Sequence, residues 1–322
     1  MVSDASLERD AHGRDARSPG AIPARGWWSV IKRVVSEVSQ DRIMLTAAGV
    51  TFYLLLALFP ALAAFVSIYG FVADPLTVAE HLDVLDGVLP ADGADLIETQ
   101  LQSLARQDAG ALSFGFIFGL LVALWSANSG MKAIFDAMNV VYEEDEKRGF
   151  IKYNLMSLAF TLGGLVAAIF FIILIGVVPA VLAFLHLEGI TELLIRILRW
   201  PLMLVAVALV FSLIYRWAPS RRKAKWRWVS WGSALAAIFW LVVSIGFSWY
   251  LENFANYNAT YGSLGAVIGF MIWTWISVII LLVGAELNAE LEHQTAIDTT
   301  HGPDRPMGER GAAVADTVAP IE

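Results

Sequence analysis

"YGSLGAVIGFMIWTWISVIILLVGAELNAE", Tyr261 to Glu290, decides the fold. From Tyr261 to Ala285 it carries no ionised side chain. A helix crossing about 30 Å of hydrocarbon needs about 20 such residues, because it rises only 1.5 Å per residue and must satisfy its own backbone. The run then meets Glu286, Asn288 and Glu290. A helix therefore leaves the membrane here, with Glu286 and Glu290 one turn apart on a face leading out. On this reading Glu286 is interfacial rather than buried at the bilayer midplane.

Working back along the chain, five further stretches pass the same test: Ala47–Ala73, Leu112–Asn128, Leu155–Leu185, Pro201–Ala218 and Val229–Tyr250. Leu155–Leu185 is too long to stand upright, and Pro179, which removes a backbone donor, is where it would break. The composition agrees, with 57% hydrophobic residues, 16% charged and a mean hydropathy of +0.63. The expected fold is an all-α integral membrane protein, a bundle of six transmembrane helices.

If the N-terminus is cytoplasmic, all but three of the 22 Lys and Arg residues fall on the cytoplasmic side. The exceptions are Arg106, Arg196 and Arg199. That bias predicts both termini inside. Residues 27–292 then form the membrane domain, and 1–26 and 293–322, polar and rich in Gly and Pro with little to bury, read as disordered cytoplasmic tails.

The first external loop, Asp74 to Gly110, has apolar residues near helical spacing on both sides of "PADG", Pro90 to Gly93. It reads as a helical hairpin over the outer mouth, with a solvated acidic loop as the alternative. "SRRKAKWRW", Ser220 to Trp228, reads as a basic loop anchoring helix ends against anionic headgroups. "VYEEDEKRGF", Val141 to Phe150, reads as a solvated connector.

Several function classes are excluded. The net charge of −8 leaves no basic stripe for nucleic acid. No cysteine is present, and His12, His81, His186, His293 and His301 lack ligand spacing, so no metal and no cofactor are expected.

Four pieces together resemble the YihY/BrkB family of bacterial inner-membrane proteins, formerly labelled ribonuclease BN. They are "AAGVTFYLLLALFPALAAFVSIYG" (Ala47–Gly70), "WSANSGMKAIFDAMNVVYEEDEKRGFIK" (Trp125–Lys152), "YRWAPSRRKAKWRWVSWGSALAAIFW" (Tyr215–Trp240), and Tyr250–Glu292, where "YGSLGA" precedes "GAELN". The resemblance implies a multi-pass protein of the bacterial inner membrane with a six-helix core. It also implies a family linked to serum resistance and, for some members, to the passage of lipid-like molecules. A ribonuclease would need a metal cage or an acid/base pair with a basic face, and the sequence offers neither, so no enzyme is expected.

Polar residues inside apolar spans are costly and therefore informative. Given the orientation above, Thr51, Tyr53, Asn128, Lys132, Glu286 and Asn288 all lie at the inner-leaflet level, and are candidates for substrate contact around an inner vestibule. For Asn128 an interhelical hydrogen bond competes with that role. Tyr257, Asn258 and Tyr261 are outer-gate candidates, or an aromatic belt. Gly115 and Gly119, with Gly265 and Gly269, form two GxxxG faces suited to helix packing, in the bundle or in a homo-oligomer that nothing in the chain shows.

Two functions follow: a transporter or exporter of a lipid-like or amphipathic anionic solute, or a non-transporting structural or adaptor protein of the cell envelope. Partners expected are membrane lipids and that solute, and no nucleic acid.

Overall fold

The computed structural model describes residues 11–72, 109–174, 190–253 and 264–320. Seven long helices follow one another: α1 (Ala24–Gln40), α2 (Ile43–Val72), α3 (Ala109–Val141), α4 (Phe150–Ile172), α5 (Ile190–Trp217), α6 (Trp226–Asn253) and α7 (Leu264–His293). A single turn, α8 (Ala313–Asp316), completes them.

Over their described residues α3 to α7 are each long and apolar enough to cross a membrane. α2 has 30 residues, about 45 Å at 1.5 Å each. The described parts of the expected spans are helical, residues 175–185 of the third lying outside the described residues, and most helices run further than hydropathy suggests. α3 continues to Val141 and α7 to His293, well past Asn128 and Ala285. The reason is that these ends are covered by protein, so the helix needs no apolar surface there. The expected external hairpin and Pro179 lie outside the described residues.

α1 has no counterpart in the span reading. Val30 and Val34 face inward to pack with Leu291 and Trp228, while Trp28, Ile31 and Val35 are exposed. Apolar residues on two faces suit a helix lying on a bundle and against lipid together. It ends at Gln40, and Arg42, with a φ of +50°, breaks the helical path before α2.

α2 packs along α3, α7 lies against α2 and α6, α6 carries α5, and α4 leans on α3. The main core sits at one end of this arrangement, where Ile43, Phe135, Met138, Tyr142, Tyr215 and Leu282 are buried together. Both tails meet at the same end, called here the tail side.

The tails correct the expectation of disorder for their described residues. Ala296 N–H donates to the Arg14 carbonyl at 2.8 Å, and the Thr295 hydroxyl donates to the Ala16 carbonyl at 2.8 Å. Arg14 donates to the carbonyls of Gln294 and Ala319. Composition misled because this packing is polar: buried backbone and side-chain groups satisfy one another instead of burying apolar surface. Asp316 accepts from the backbone N–H groups of Gly308, Arg310, Gly311 and Ala312. Asp298 does the same for Thr300 and Arg305.

The connector after Val141 is exposed at most positions, as expected, but is anchored at a few. Glu144 is buried and accepts from the Ala313 N–H at 2.8 Å, and the Lys147 N–H donates to the Ser220 hydroxyl at 2.8 Å. Burial alone would push the Glu146 carboxyl up, but Arg148 and Asn139 hold it down at about 2.

Candidate functional site

Of the six residues expected around one vestibule, the structure brings only two together and distributes the others among different helix contacts. The "GAELN" segment shows why. Residues 284 and 288, one turn apart, face α6, while residues 286 and 290 face α1 and the start of α2.

On the α6 face, Asn288 is fully buried. Its Oδ1 accepts from the Gly232 N–H at 2.9 Å and its Nδ2 donates to the Val229 carbonyl at 3.2 Å. With both ends of the amide used, Asn288 locks α7 to α6. Gly284 sits beside it. A Cβ there would collide with the Tyr215 hydroxyl and Ala236, and one on Gly232 with the Gly284 carbonyl and Asn288. α6 and α7 therefore touch backbone to backbone at Gly232 and Gly284.

The closest backbone approach thus lies outside the two GxxxG faces, although Gly265 and Gly269 are buried as helix packing requires. A Cβ on Gly119 would meet nothing within 4 Å, and one on Gly269 would make only ordinary contact with Leu251 at 3.8 Å. Gly265 is buried, and the side-chain surroundings of Gly115 lie outside the described residues. Spacing alone could not find the true pair, because Gly232 and Gly284 lie on different helices.

On the other face, Glu286 is only 2% exposed, so the helix end that carries it is covered by protein. Asp41, in the turn between α1 and α2, is the acid that neighbours it. Burial raises the Asp41 carboxyl above its ordinary range, an effect that the neighbouring Glu286 opposes. The Glu286 Oε1 has no partner among the described residues. One turn on, Glu290 pairs with Arg33 of α1. This acid pair was missed because Asp41 lies outside every apolar span.

Thr51 is buried and spends its hydroxyl on the Ala47 carbonyl of its own helix at 2.7 Å, while Tyr53 is exposed. Neither joins Glu286. Asn128 and Lys132 do share a face, one turn apart on α3, and both look to α4. The Thr161 hydroxyl lies 3.5 Å from the Asn128 Oδ1, and the Lys132 ammonium stands 6.0 Å from the Tyr153 ring centre. The Tyr153 hydroxyl donates to Asp136 at 2.9 Å. Asn128 and Lys132 are both partly exposed, so an amide and a cation line the α3–α4 groove. Along α4 beyond Thr161, Leu162 to Val166 are exposed. The outer-gate candidates Tyr257, Asn258 and Tyr261 lie outside the described residues.

Below this groove the tail side is cross-linked by ion pairs and hydrogen bonds. Arg148 donates to the Ala218 carbonyl at 2.8 Å, tying the α3–α4 connector to the end of α5. Arg221 meets Glu292 at 2.5 Å, and Lys225 meets Asp304 at 2.9 Å. Among the described residues no group of three His, Asp or Glu could hold a metal ion.

Comparison with known proteins agrees with this architecture. The family model described as Virulence factor BrkB matches residues 34–308. A protein of Bacillus subtilis (strain 168), YfkH, named as ribonuclease-like, is 34% identical over 82% of this chain and 95% of its own. A UPF0761 membrane protein of Alkalilimnicola ehrlichii is 31% identical over 80% of this chain and 57% of its own length. One from Vibrio campbellii is 26% identical over 80% of each. The chain thus spans little more than half of the Alkalilimnicola relative. No solved structure matches.

Proposed function

The chain belongs to the Virulence factor BrkB family, and from that premise we propose that it transports a lipid-like or amphipathic anionic solute across the bacterial cytoplasmic membrane. The solute enters sideways from the bilayer along the α3–α4 groove. Its anionic end meets Lys132 and the Asn128 amide, and its apolar part stays against the exposed side of α4. The observation carrying this reading is the pairing of a partly exposed amide and cation on one helix face above a cross-linked tail side. A solute arriving through water would need the tail side open. One arriving through lipid would not.

In this reading α2 to α7 cross the membrane six times and both tails are cytoplasmic. The meeting of the tails at one end and the placement of Lys and Arg both support it. The ribonuclease-like name of the Bacillus relative is taken as a name alone, since hydrolysis of RNA needs a site for which this chain supplies no residues we can assign.

The test reconstitutes the full chain in liposomes carrying fluorescent phosphatidylglycerol and follows its movement between leaflets by chemical quenching. Exchange faster than in protein-free vesicles is expected, slowed about tenfold by Asn128→Leu with Lys132→Gln, the scale of a lost charge-assisted contact. No acceleration by the wild-type protein would leave the envelope-adaptor reading in its place.

A further inference from the structure

Besides Arg221, whose buried side chain is paired with Glu292, three arginines are buried among the described residues: Arg14, Arg216 and Arg310. Two are surrounded by acceptors. Arg14 donates to the carbonyls of Gln294 and Ala319, and Arg310 to those of Arg305, Ala315 and Ala296. Arg216 is the exception. It is 7% exposed, and its Nε and Nη1 donate to no acceptor among the described residues.

Its neighbours are rings. The guanidinium lies 4.4 Å from the centre of Trp226 and 5.3 Å from that of Trp217, and the two rings meet edge to face. A second cation, Lys223, stands 5.3 Å from the Trp217 ring. Cation–π contact recovers part of the cost of burying a guanidinium, but rings accept no N–H bonds in the guanidinium plane. Elsewhere in the same loop, cations are neutralised: Arg221 by Glu292, Arg222 by Asp298, and Lys225 by Asp304. Arg216 and Lys223 have no such carboxylate among the described residues.

The place is equally specific. Arg216 occupies the last turn of α5, and Trp226, 45% exposed, opens α6. Exposed tryptophans at the ends of spanning helices sit at headgroup depth. A planar fork of N–H donors between aromatic walls, with an ammonium beside it, matches the oxygens of a phosphate.

We infer that Arg216, Lys223, Trp217 and Trp226 form a binding site for the phosphate of an anionic phospholipid in the tail-side leaflet. The phosphate accepts from the guanidinium edge and from Lys223, while the acyl chains descend beside Trp226 along the exposed side of α6. This site is separate from the α3–α4 groove and does not depend on transport.

The test uses the full-length purified protein in detergent, with phosphatidylglycerol, phosphatidylcholine or inorganic phosphate added, and reads lipid adducts by native mass spectrometry and the shift in thermal midpoint. Wild-type protein should retain phosphatidylglycerol selectively. Arg216→Gln should bind it about tenfold more weakly, the loss expected for a charge-assisted contact. Arg216→Lys should recover only part, since it keeps the charge but loses the fork.

Undiminished, selective phosphatidylglycerol binding by folded Arg216→Gln would overturn the proposal. So would an Arg216-dependent shift produced by inorganic phosphate alone, which would assign the site to a free anion. Should Arg216→Gln fail to fold, the exposed variant Lys223→Gln carries the test. A fall of about threefold is expected from it, and unchanged binding would overturn the site.

Discussion

At the tail side Arg221 reaches Glu292 at 2.5 Å, with side chains only 1% and 0% exposed. Further along the same bundle, Trp240 of α6 reaches only the Ser277 hydroxyl of α7 at 3.0 Å, and Trp273 the Ser244 hydroxyl at 3.2 Å. The first region is held by buried charge, the second by neutral N–H bonds between helices whose outer faces are exposed and apolar. Solvent explains the difference. Within lipid a misplaced charge has no refuge, so interhelical contacts there are neutral and weak. At the tail side charges can be buried under protein, provided each finds a partner.

The sharpest way to break this contrast is to unpair one tail-side charge. Arg221→Ala strands Glu292 in a protein interior, and its cost should be about 3–5 kcal/mol, the usual penalty for an uncompensated buried ion. Chemical or thermal unfolding in detergent measures it. A loss no greater than that of a surface substitution would show that the tail-side ion pairs are ornamental.

Next in size is the backbone contact. Gly232→Ala forces a methyl against the Gly284 carbonyl and Asn288. It should destabilise by about 1–3 kcal/mol, as overpacking does. Gly246→Ala, on the same helix with nothing within 4 Å, should be neutral or slightly stabilising. Equal effects at the two positions would refute the close approach of α6 and α7.

The smallest effect is acid sensitivity confined to the tail side. The carboxyls of Glu146, Asp298 and Asp316 are all held below their ordinary range by the hydrogen bonds that oppose their burial. Their folded pKa values lie under the unfolded ones. Their contribution is therefore complete above about pH 4.5 and is lost as pH falls towards about 2. Hydrogen exchange should show residues 296–316 opening in that window before α5 to α7 do. Uniform opening would mean that the two regions are not held independently.

The same contrast explains what could be read beforehand. Hydropathy sees solvent, so it found each apolar run from Ala47 to Ala285. It could not see α1, whose Val30 and Val34 are buried against Leu291 far along the chain. Tails rich in Gly, Pro and charge looked unfoldable because their order rests on carboxylates collecting backbone N–H groups, which composition does not register. For the site, the Asn128–Lys132 spacing was readable as one helix face. Asn288 looked equally available. Only the packing of α6 shows that its amide is already spent on Gly232 and Val229.

The meeting of the tails also has a meaning in time. Arg14 precedes α1, yet its acceptors Gln294 and Ala319 follow 280 and 305 residues later. They are made only after α7, so this clasp can close only once all seven long helices have been synthesised. It can close only if both ends have arrived on the same side. A helix that failed to insert, or went in backwards, would leave the two halves facing different compartments. The clasp thus joins the segment before α1 to the segment after α7, and it forms only when the two lie on one side of the bundle.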